Sequence, residues 1–266
     1  MASRGPFSKT WDELDFTDNF MFCKILQNDK DLCRRMLEIL LGIEIDRVKV
    51  LESEKTIDLF YDSRSVRLDV YAKNSKQAFD LEMQTCNYDN LLLRARYYQG
   101  AMDQEEMERS DDFSKLKDSY VIFLCKDDPI GLGGYVYTKE SFFKEYPTEI
   151  YNDKTHIVFY NSRAFNKVED KELRNVLEFI YNANSNSEFT DELVKSVDDA
   201  KVRPEWRKEY MKFSEVLKNN SLKIAKNMLE DGVPIEKIIQ YTNLKKEDIE
   251  ALSKKIDTGT DDKKDD

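Results

Sequence analysis

The sequence predicts an α/β fold whose core elements follow the order α-β-β-β-α-β, extended on the C-terminal side by helices. Residues 48–84 alternate apolar and polar side chains and are rich in β-branched and aromatic types. Residues 90–107 return to helical spacing, and residues 119–126 form a short apolar run that is typical of a buried strand. These three observations predict a three-stranded antiparallel unit that a helix joins to a central strand.

The segment before the strands is predicted to be helical over residues 17–41. Thr17 or Asp18 can cap its start, and Gly42 is placed to end it. The polar stretch QNDKD (27–31) interrupts the apolar pattern, so the segment can split into two helices.

Turn signals divide the strand region at DSRS (62–65) and KNSK (73–76), which gives three successive strands. A further strand is predicted at HIVFYN (156–161), and the chain becomes helical from about residue 169. Three short helices with tight turns at Gly232 and Pro234 end this helical region.

These patterns predict three parts of the chain, namely an α/β domain at 1–180, a helical region at 181–256 and a disordered acidic tail at 257–266. No stretch approaches the roughly 18 apolar residues that cross a membrane. The first residues also lack the apolar run of a signal peptide. We therefore expect a cytoplasmic protein without membrane contact.

Histidine and cysteine usage excludes several kinds of site. The only histidine, His156, lies in a predicted strand, so His/Cys zinc sites and Ser-His-Asp hydrolases have little support. The four cysteines form no CxxC pair, and we interpret them as buried reduced thiols.

The second and third strands place several acids on one face of a predicted hairpin. If its turn lies between Ser75 and Lys76, residues whose numbers sum to 151 are opposite each other, and Asp69 faces Glu82. Like charges at roughly 5 Å destabilise a sheet, and a divalent cation bound by oxygen ligands removes the conflict. The alternative is a solvated polar face on which Arg67 and Lys73 balance the acids.

Four short motifs occur in order along residues 15–180: TDNFMF, RLDVYAKN, FDLEMQ and RARYYQG. In them the chain resembles the PD-(D/E)XK nuclease superfamily, whose core has the predicted α-β-β-β-α-β order. It resembles more closely the Rpn family of recombination-promoting nucleases, also described as PD-(D/E)XK nuclease family transposases. The last helices resemble the helix-turn-helix tail of that family. The resemblance implies a restriction-endonuclease-like core, a metal-dependent DNA endonuclease activity and a possible role in recombination.

The resemblance also implies roles for individual residues. Asp69 and Glu82 would bind Mg²⁺ or Mn²⁺, the backbone carbonyl of Met83 would be a third ligand, and Gln84 would orient the attacking water. Asp18 would join the site or only cap a helix, and Asp80 would assist the site or, as the preferred expectation, be a solvated acid. Six residues are candidates for supporting roles: Asp18, Asp80, Lys55, Arg94, Arg96 and Tyr98.

Gln84 departs from the superfamily pattern, which has lysine at this position. Lys55, Lys73, Arg94 or Arg96 could supply the missing positive charge, and the sequence leaves this choice open. The departure also leaves an alternative function open: a catalytically weak or inactive nuclease-derived protein that binds DNA or protein as a regulator.

The charge distribution bears on DNA binding. A net charge of −11 argues against nonspecific binding to nucleic acid. Residues 201–226 are the most basic part of the chain and are the predicted phosphate contact, with a solvated helix face as the alternative. The terminal helices are interpreted as a DNA-binding or dimerisation module, so a homodimer is a further expectation.

Overall fold

The computed structural model describes residues 9–57, 66–86, 90–242 and 244–257, and the side chains of 50–57, 66–67, 255 and 257 lie outside the description. The chain forms two compact units. One comprises Asp15–Asp198, and the other combines the residues before Asp15 with those from Asp199 onward. The predicted domain boundary near residue 180 stays a prediction.

The first unit is built on a mixed sheet with the strand order β1-β2-β3-β4-β6-β5. Its first three strands are antiparallel to each other, as predicted, while β4 and β6 run parallel to β3. The short edge strand β5 is antiparallel to β6 and was not expected from the sequence. The strands are β1 (Lys49–Ile57), β2 (Val66–Lys73), β3 (Gln77–Gln84), β4 (Asp118–Cys125), β5 (Val136–Lys139) and β6 (Thr155–Asn161).

Most helical segments follow the sequence prediction, but the first of the three predicted short C-terminal helices is wrong, since it is the end of a helix of 27 residues, Pro204–Glu230. The described helices are α1 (Asn19–Asn28), α2 (Lys30–Leu41), α3 (Leu91–Glu106), α4 (Lys171–Asn182), α5 (Glu188–Lys201), α6 (Pro204–Glu230), α7 (Ile235–Thr242) and α8 (Lys246–Asp257). The predicted break between α1 and α2 lies at Asp29, whose carboxylate accepts hydrogen bonds from the backbone N–H groups of Asp31 and Leu32. Gly42 ends α2 with a φ of 65°, a conformation that glycine adopts without strain.

Helix α3 connects the parallel strands β3 and β4 and covers one face of the sheet. Its buried side chains Leu91, Ala95 and Met102 belong to one core cluster with Tyr71 of β2 and Ala78 of β3. Because Tyr71 and Ala78 lie on the face that also carries the acids, this packing removes that face from water.

The C-terminal end of α3 is joined to the sheet by an ion cluster. Glu106 accepts hydrogen bonds from Lys73 at 2.6 Å, from Lys117 at 2.5 Å and from the hydroxyl of Tyr71 at 2.6 Å. Burial alone would raise the pKa of Glu106, but these three donors outweigh it and lower the pKa to about 2. The cluster therefore holds α3 on the acid-bearing face of β2.

The second unit ends in three helices that share a small core. Ala225 of α6, Ile238 of α7, Leu244 of the connecting turn and Ile249 of α8 are buried together. Gly232, with a φ of 71°, makes the turn between α6 and α7. Among the described helices, none combines the length and the apolar character that a membrane span requires.

Candidate active site

The register of β2 and β3 is the one that the sequence predicts. Pairing runs from Lys73↔Ala78 to Val70↔Leu81, and each pair sums to 151. Next to this paired region, the side chains of Asp69 and Glu82 form hydrogen bonds between β2 and β3. The N–H of Asp69 donates to Oε1 of Glu82 at 2.9 Å, and the N–H of Met83 donates to Oδ2 of Asp69 at 3.2 Å. The two carboxylates therefore form reciprocal bridges to the opposite strand and lie at the same level of the sheet.

The acids on the polar face of this hairpin are buried, so the alternative of a solvated face is wrong. The exposed fraction is 8% for Asp69, 0% for Asp80, 3% for Glu82 and 6% for Gln84. The preferred interpretation of Asp80 as a solvated acid fails for the same reason, since α3 packs over this face.

Burial makes the ionised form of these acids unfavourable. It raises the pKa of Asp80 well above its ordinary value, and the nearby charge of Asp69 raises it further. Burial likewise raises the pKa of Glu82, with added contributions from Asp69 and Asp80. Neither oxygen of Asp80 accepts a hydrogen bond from an amide, hydroxyl or cationic donor of the described residues. In the described part of the chain, the cluster thus holds three buried acids beside the guanidinium of Arg94.

Arg94 of α3 is the cation that the structure places beside these acids. Its guanidinium donates to Oε2 of Glu82 at 3.3 Å, to Oε1 of Gln84 at 3.2 Å and to the hydroxyl of Tyr98 at 3.1 Å. The group also lies 5.4 Å from the ring centre of Tyr98 and 5.5 Å from that of Phe123. Arg94 is therefore held in a fixed position between the acids and the aromatic core.

The other candidate cations do not contact the acids in the described structure. Lys73 pairs with Glu106 at 2.6 Å, and Arg96 lies on the exposed side of α3. The side chain of Lys55 lies outside the described residues. Of the three candidates whose side chains are described, Arg94 is the one that contacts Glu82 and Gln84.

Comparison with protein families supplies independent evidence. Residues 13–215 match the model of the PD-(D/E)XK nuclease family transposase, which is well over half of the chain. The chain belongs to this PD-(D/E)XK family. Residues 218–254 match the C-terminal HTH domain of the Rpn/YhgA-like nuclease family, which coincides with the end of α6 and with α7 and α8. Comparison with curated proteins and with solved structures gave no match.

Gln84 lies at the position where the resemblance predicts a lysine. Its amide oxygen accepts from Arg94, and its Nε2 donates to the backbone carbonyl of Cys86. The amide is thus fixed at both ends, and Arg94 brings a positive charge to it from α3.

The start of α1 contributes a residue that the sequence did not single out. Asn19 donates from Nδ2 to Oδ1 of Asp69 at 2.8 Å. Its neighbour Asp18 occupies the N-cap position without a side-chain cap, and its carboxylate accepts from the N–H of Asp15 at 2.7 Å. Fifty positions of sequence separate Asn19 from Asp69, so only its place after Asp18 in TDNFMF could have drawn attention to it.

The fit of a divalent cation rests on the chemistry of these donors. Among the described residues, no three or more His, Cys, Asp or Glu side chains are arranged so that they could hold a metal ion. Two carboxylates together with water suffice for Mg²⁺. The buried and mutually repelling acids Asp69 and Glu82, with Asp80 lacking a donor, fit such an ion. The role of the Met83 carbonyl stays a prediction.

His156 lies away from the acids, as its structural interpretation requires. It is at the start of β6, where its ring stacks on Tyr120 at 4.3 Å and its Nε2 is 3.3 Å from Asp118. Glu82 is paired with Phe123 near the opposite end of β4. The described cysteines are all free thiols, and burial raises the pKa of Cys33 and of Cys125 to about 12.

Proposed function

We propose that the protein is a metal-dependent DNA endonuclease that hydrolyses phosphodiester bonds with an activated water. The observation that carries this proposal is the buried cluster of Asp69, Asp80 and Glu82 beside Arg94 in a chain of the PD-(D/E)XK family. Buried acids that raise each other's pKa are costly in a purely structural role and are common at functional sites.

Asp69 and Glu82 would hold the cation, Mg²⁺ or Mn²⁺. When bound, the cation would lower the pKa of a water molecule and offset charge that develops on the phosphoryl oxygens. Gln84, whose amide is fixed by Arg94 and by the Cys86 carbonyl, would help to orient the water. Tyr98 supports Arg94 through its hydroxyl.

Arg94 would perform the electrostatic task of the missing lysine. Burial lowers the pKa of its guanidinium, but the hydrogen bond to Tyr98 and the charge of Glu82 outweigh this effect and raise it, so the group stays charged. A fixed positive charge beside the reacting phosphate stabilises the charge of the transition state.

DNA contacts would come from the second unit. The HTH domain and the exposed lysines of α6 are the surfaces that support DNA as the partner. A role in recombination, a homodimer and a cytoplasmic location remain proposals of the same kind.

A second candidate is a nuclease-derived binding protein with little or no catalysis. It is favoured by the internal hydrogen bonds of the site, since the carboxylates of Asp69 and Glu82 and both ends of the Gln84 amide have protein partners. Cleavage would then require these contacts to rearrange.

A plasmid-nicking assay with Mg²⁺ or Mn²⁺ separates the two candidates. Asp69→Asn and Glu82→Gln should abolish nicking because each removes a ligand charge, while the exposed matched control Glu140→Gln should nick like the wild type. Equal trace activity in all four proteins, with DNA binding retained in a gel-shift assay, would support the binding protein instead.

A further inference from the structure

The amide of Asn19 joins the first helix to the acid cluster. Its Nδ2 donates to Oδ1 of Asp69 at 2.8 Å, while the N–H of Met83 donates to Oδ2 of the same carboxylate. Each oxygen of Asp69 therefore accepts a hydrogen bond from an N–H donor, which fixes the plane of the carboxylate.

The other end of the same amide is buried without a partner. Oδ1 of Asn19 is inaccessible and accepts no hydrogen bond from a described residue. The orientation of the amide is set by chemistry, because an ionised carboxylate only accepts and the amide nitrogen must face it. The carbonyl oxygen is thus presented as an unused acceptor beside Asp69.

The folding of α1 does not account for this arrangement. Asn19 is the first helical residue and not the N-cap, and the helix begins with the N–H of Phe22 donating to the carbonyl of Asp18. An apolar residue could occupy position 19 without leaving a buried oxygen unpaired, and an unpaired buried acceptor costs free energy.

We propose that Asn19 is a positioning residue for the cation of the site, an inference that rests on the proposed metal-dependent function. Its N–H group orients Asp69 as a ligand, and its carbonyl oxygen accepts a hydrogen bond from a water in the cation's shell. Cations such as Mg²⁺ keep several waters when bound to proteins, and such a water donates hydrogen bonds that Oδ1 lacks. Asn19 thereby adds an acceptor for a bound water to the pair of carboxylates that would hold the cation.

The test measures binding of Mn²⁺ alone to the full-length chain, by calorimetry and by the metal-induced rise in melting temperature. Asn19→Ala removes both ends of the amide and should weaken Mn²⁺ binding by about 10- to 100-fold, the usual effect of losing a group that orients a ligand. Asn28→Ala is the matched control, since Asn28 is exposed at the other end of α1. It should bind Mn²⁺ like the wild type.

Asn19→Asp tests whether position 19 faces the cation, and Asn19→Ala separates positioning from a purely structural role. The new carboxylate repels Asp69 without metal and attracts the cation when metal is present, so the metal-induced rise in melting temperature should be larger than in the wild type. Asn19→Ala should show a smaller rise. A purely structural role of Asn19 would lower the metal-free stability of Asn19→Ala and leave its metal-induced rise equal to that of the wild type.

The outcomes distinguish this inference from the function on which it rests. If the wild type binds Mn²⁺ and nicks DNA, and Asn19→Ala binds Mn²⁺ equally well, the role of Asn19 is refuted and the nuclease proposal stands. If the wild type neither binds Mn²⁺ nor nicks DNA, both proposals fail. Weaker binding by Asn19→Ala, with nicking restored at higher Mn²⁺ concentration, supports both.

Discussion

The buried carboxylate of Asp80 gives the sharpest prediction about stability. Its exposed fraction is 0%, and no amide, hydroxyl or cationic donor of the described residues reaches either oxygen. Asp80→Asn keeps the shape of the side chain, removes repulsion from Asp69 and allows the new amide to donate to the acids around it. We therefore expect this variant to be more stable than the wild type when no metal is present.

The magnitude follows from the cost of an unsatisfied buried group, which is about 1–3 kcal/mol and more for a charged one. Removing it should raise the free energy of unfolding by about 1–3 kcal/mol, or the melting temperature by roughly 2–4 °C for each kcal/mol. The assay is urea unfolding followed by circular dichroism at pH 8 with EDTA. Asp198→Asn is the control, because Asp198 is exposed on α5 and its replacement should change the free energy of unfolding by no more than about 0.5 kcal/mol.

Asp80→Asn should reduce DNA nicking although it raises stability. The loss of a negative charge beside Asp69 and Glu82 should reduce metal-dependent nicking by about 10- to 100-fold. A variant that gains stability while losing activity shows that the acid is kept for function. If Asp80→Asn instead unfolds at lower urea with an unchanged slope, the carboxylate stabilises the fold and the reasoning is refuted.

Three further predictions concern other parts of the chain. Arg94→Met should slow nicking by about 10²- to 10³-fold in single-turnover assays, as the loss of a transition-state donor does. The rate of Arg94→Lys should lie between the rates of Arg94→Met and the wild type. A wild-type rate in Arg94→Met would show that the charge of Arg94 has no catalytic role. The pKa of Glu106 is lowered to about 2. Its ion pairs therefore stabilise the folded state fully above pH 4.5, and this stabilisation is lost as the pH falls through 2. Glu106→Gln should therefore lower the free energy of unfolding by about 1–2 kcal/mol at pH 7, once solvent screening of this partly exposed group is allowed for. In urea unfolding the loss should be about half as large at pH 3, and a loss independent of pH would contradict the lowered pKa. Replacing the exposed Lys208 and Lys212 by alanine should reduce the slope of log K against log salt for DNA by about two, measured by fluorescence anisotropy; an unchanged slope would remove α6 from the interface.

Strand register and the main helices could be predicted because they depend on local patterns. Alternation over residues 66–84 allows only one pairing that keeps the apolar residues of both strands on one face, and the pairs from Val70 to Lys73 confirm it. The split of the first helix at Asp29 and its end at Gly42 follow from capping chemistry in the same way.

The burial of the acid-bearing face could not be predicted, because α3 has a misleading pattern. Leu92 and Leu93 would be expected to face the core, yet both are 53% exposed, while Gln99 is buried. Small residues such as Ala95 make the contact with the sheet, and small residues carry a weak hydrophobic signal. Without the packing of α3, neither the choice of Arg94 nor the loss of solvent around Asp80 could be foreseen.

The reciprocal bridges at Asp69 and Glu82 have a consequence for spectroscopy. The amide hydrogens of Asp69 and Met83 are bonded to the same carboxylates that would bind the cation. Their NMR chemical shifts and hydrogen-exchange rates should therefore report directly on occupancy of the site, without any added label. These two backbone N–H groups can serve as probes because, at Asp69 and Glu82, the acidic side chains themselves form hydrogen bonds between the two strands.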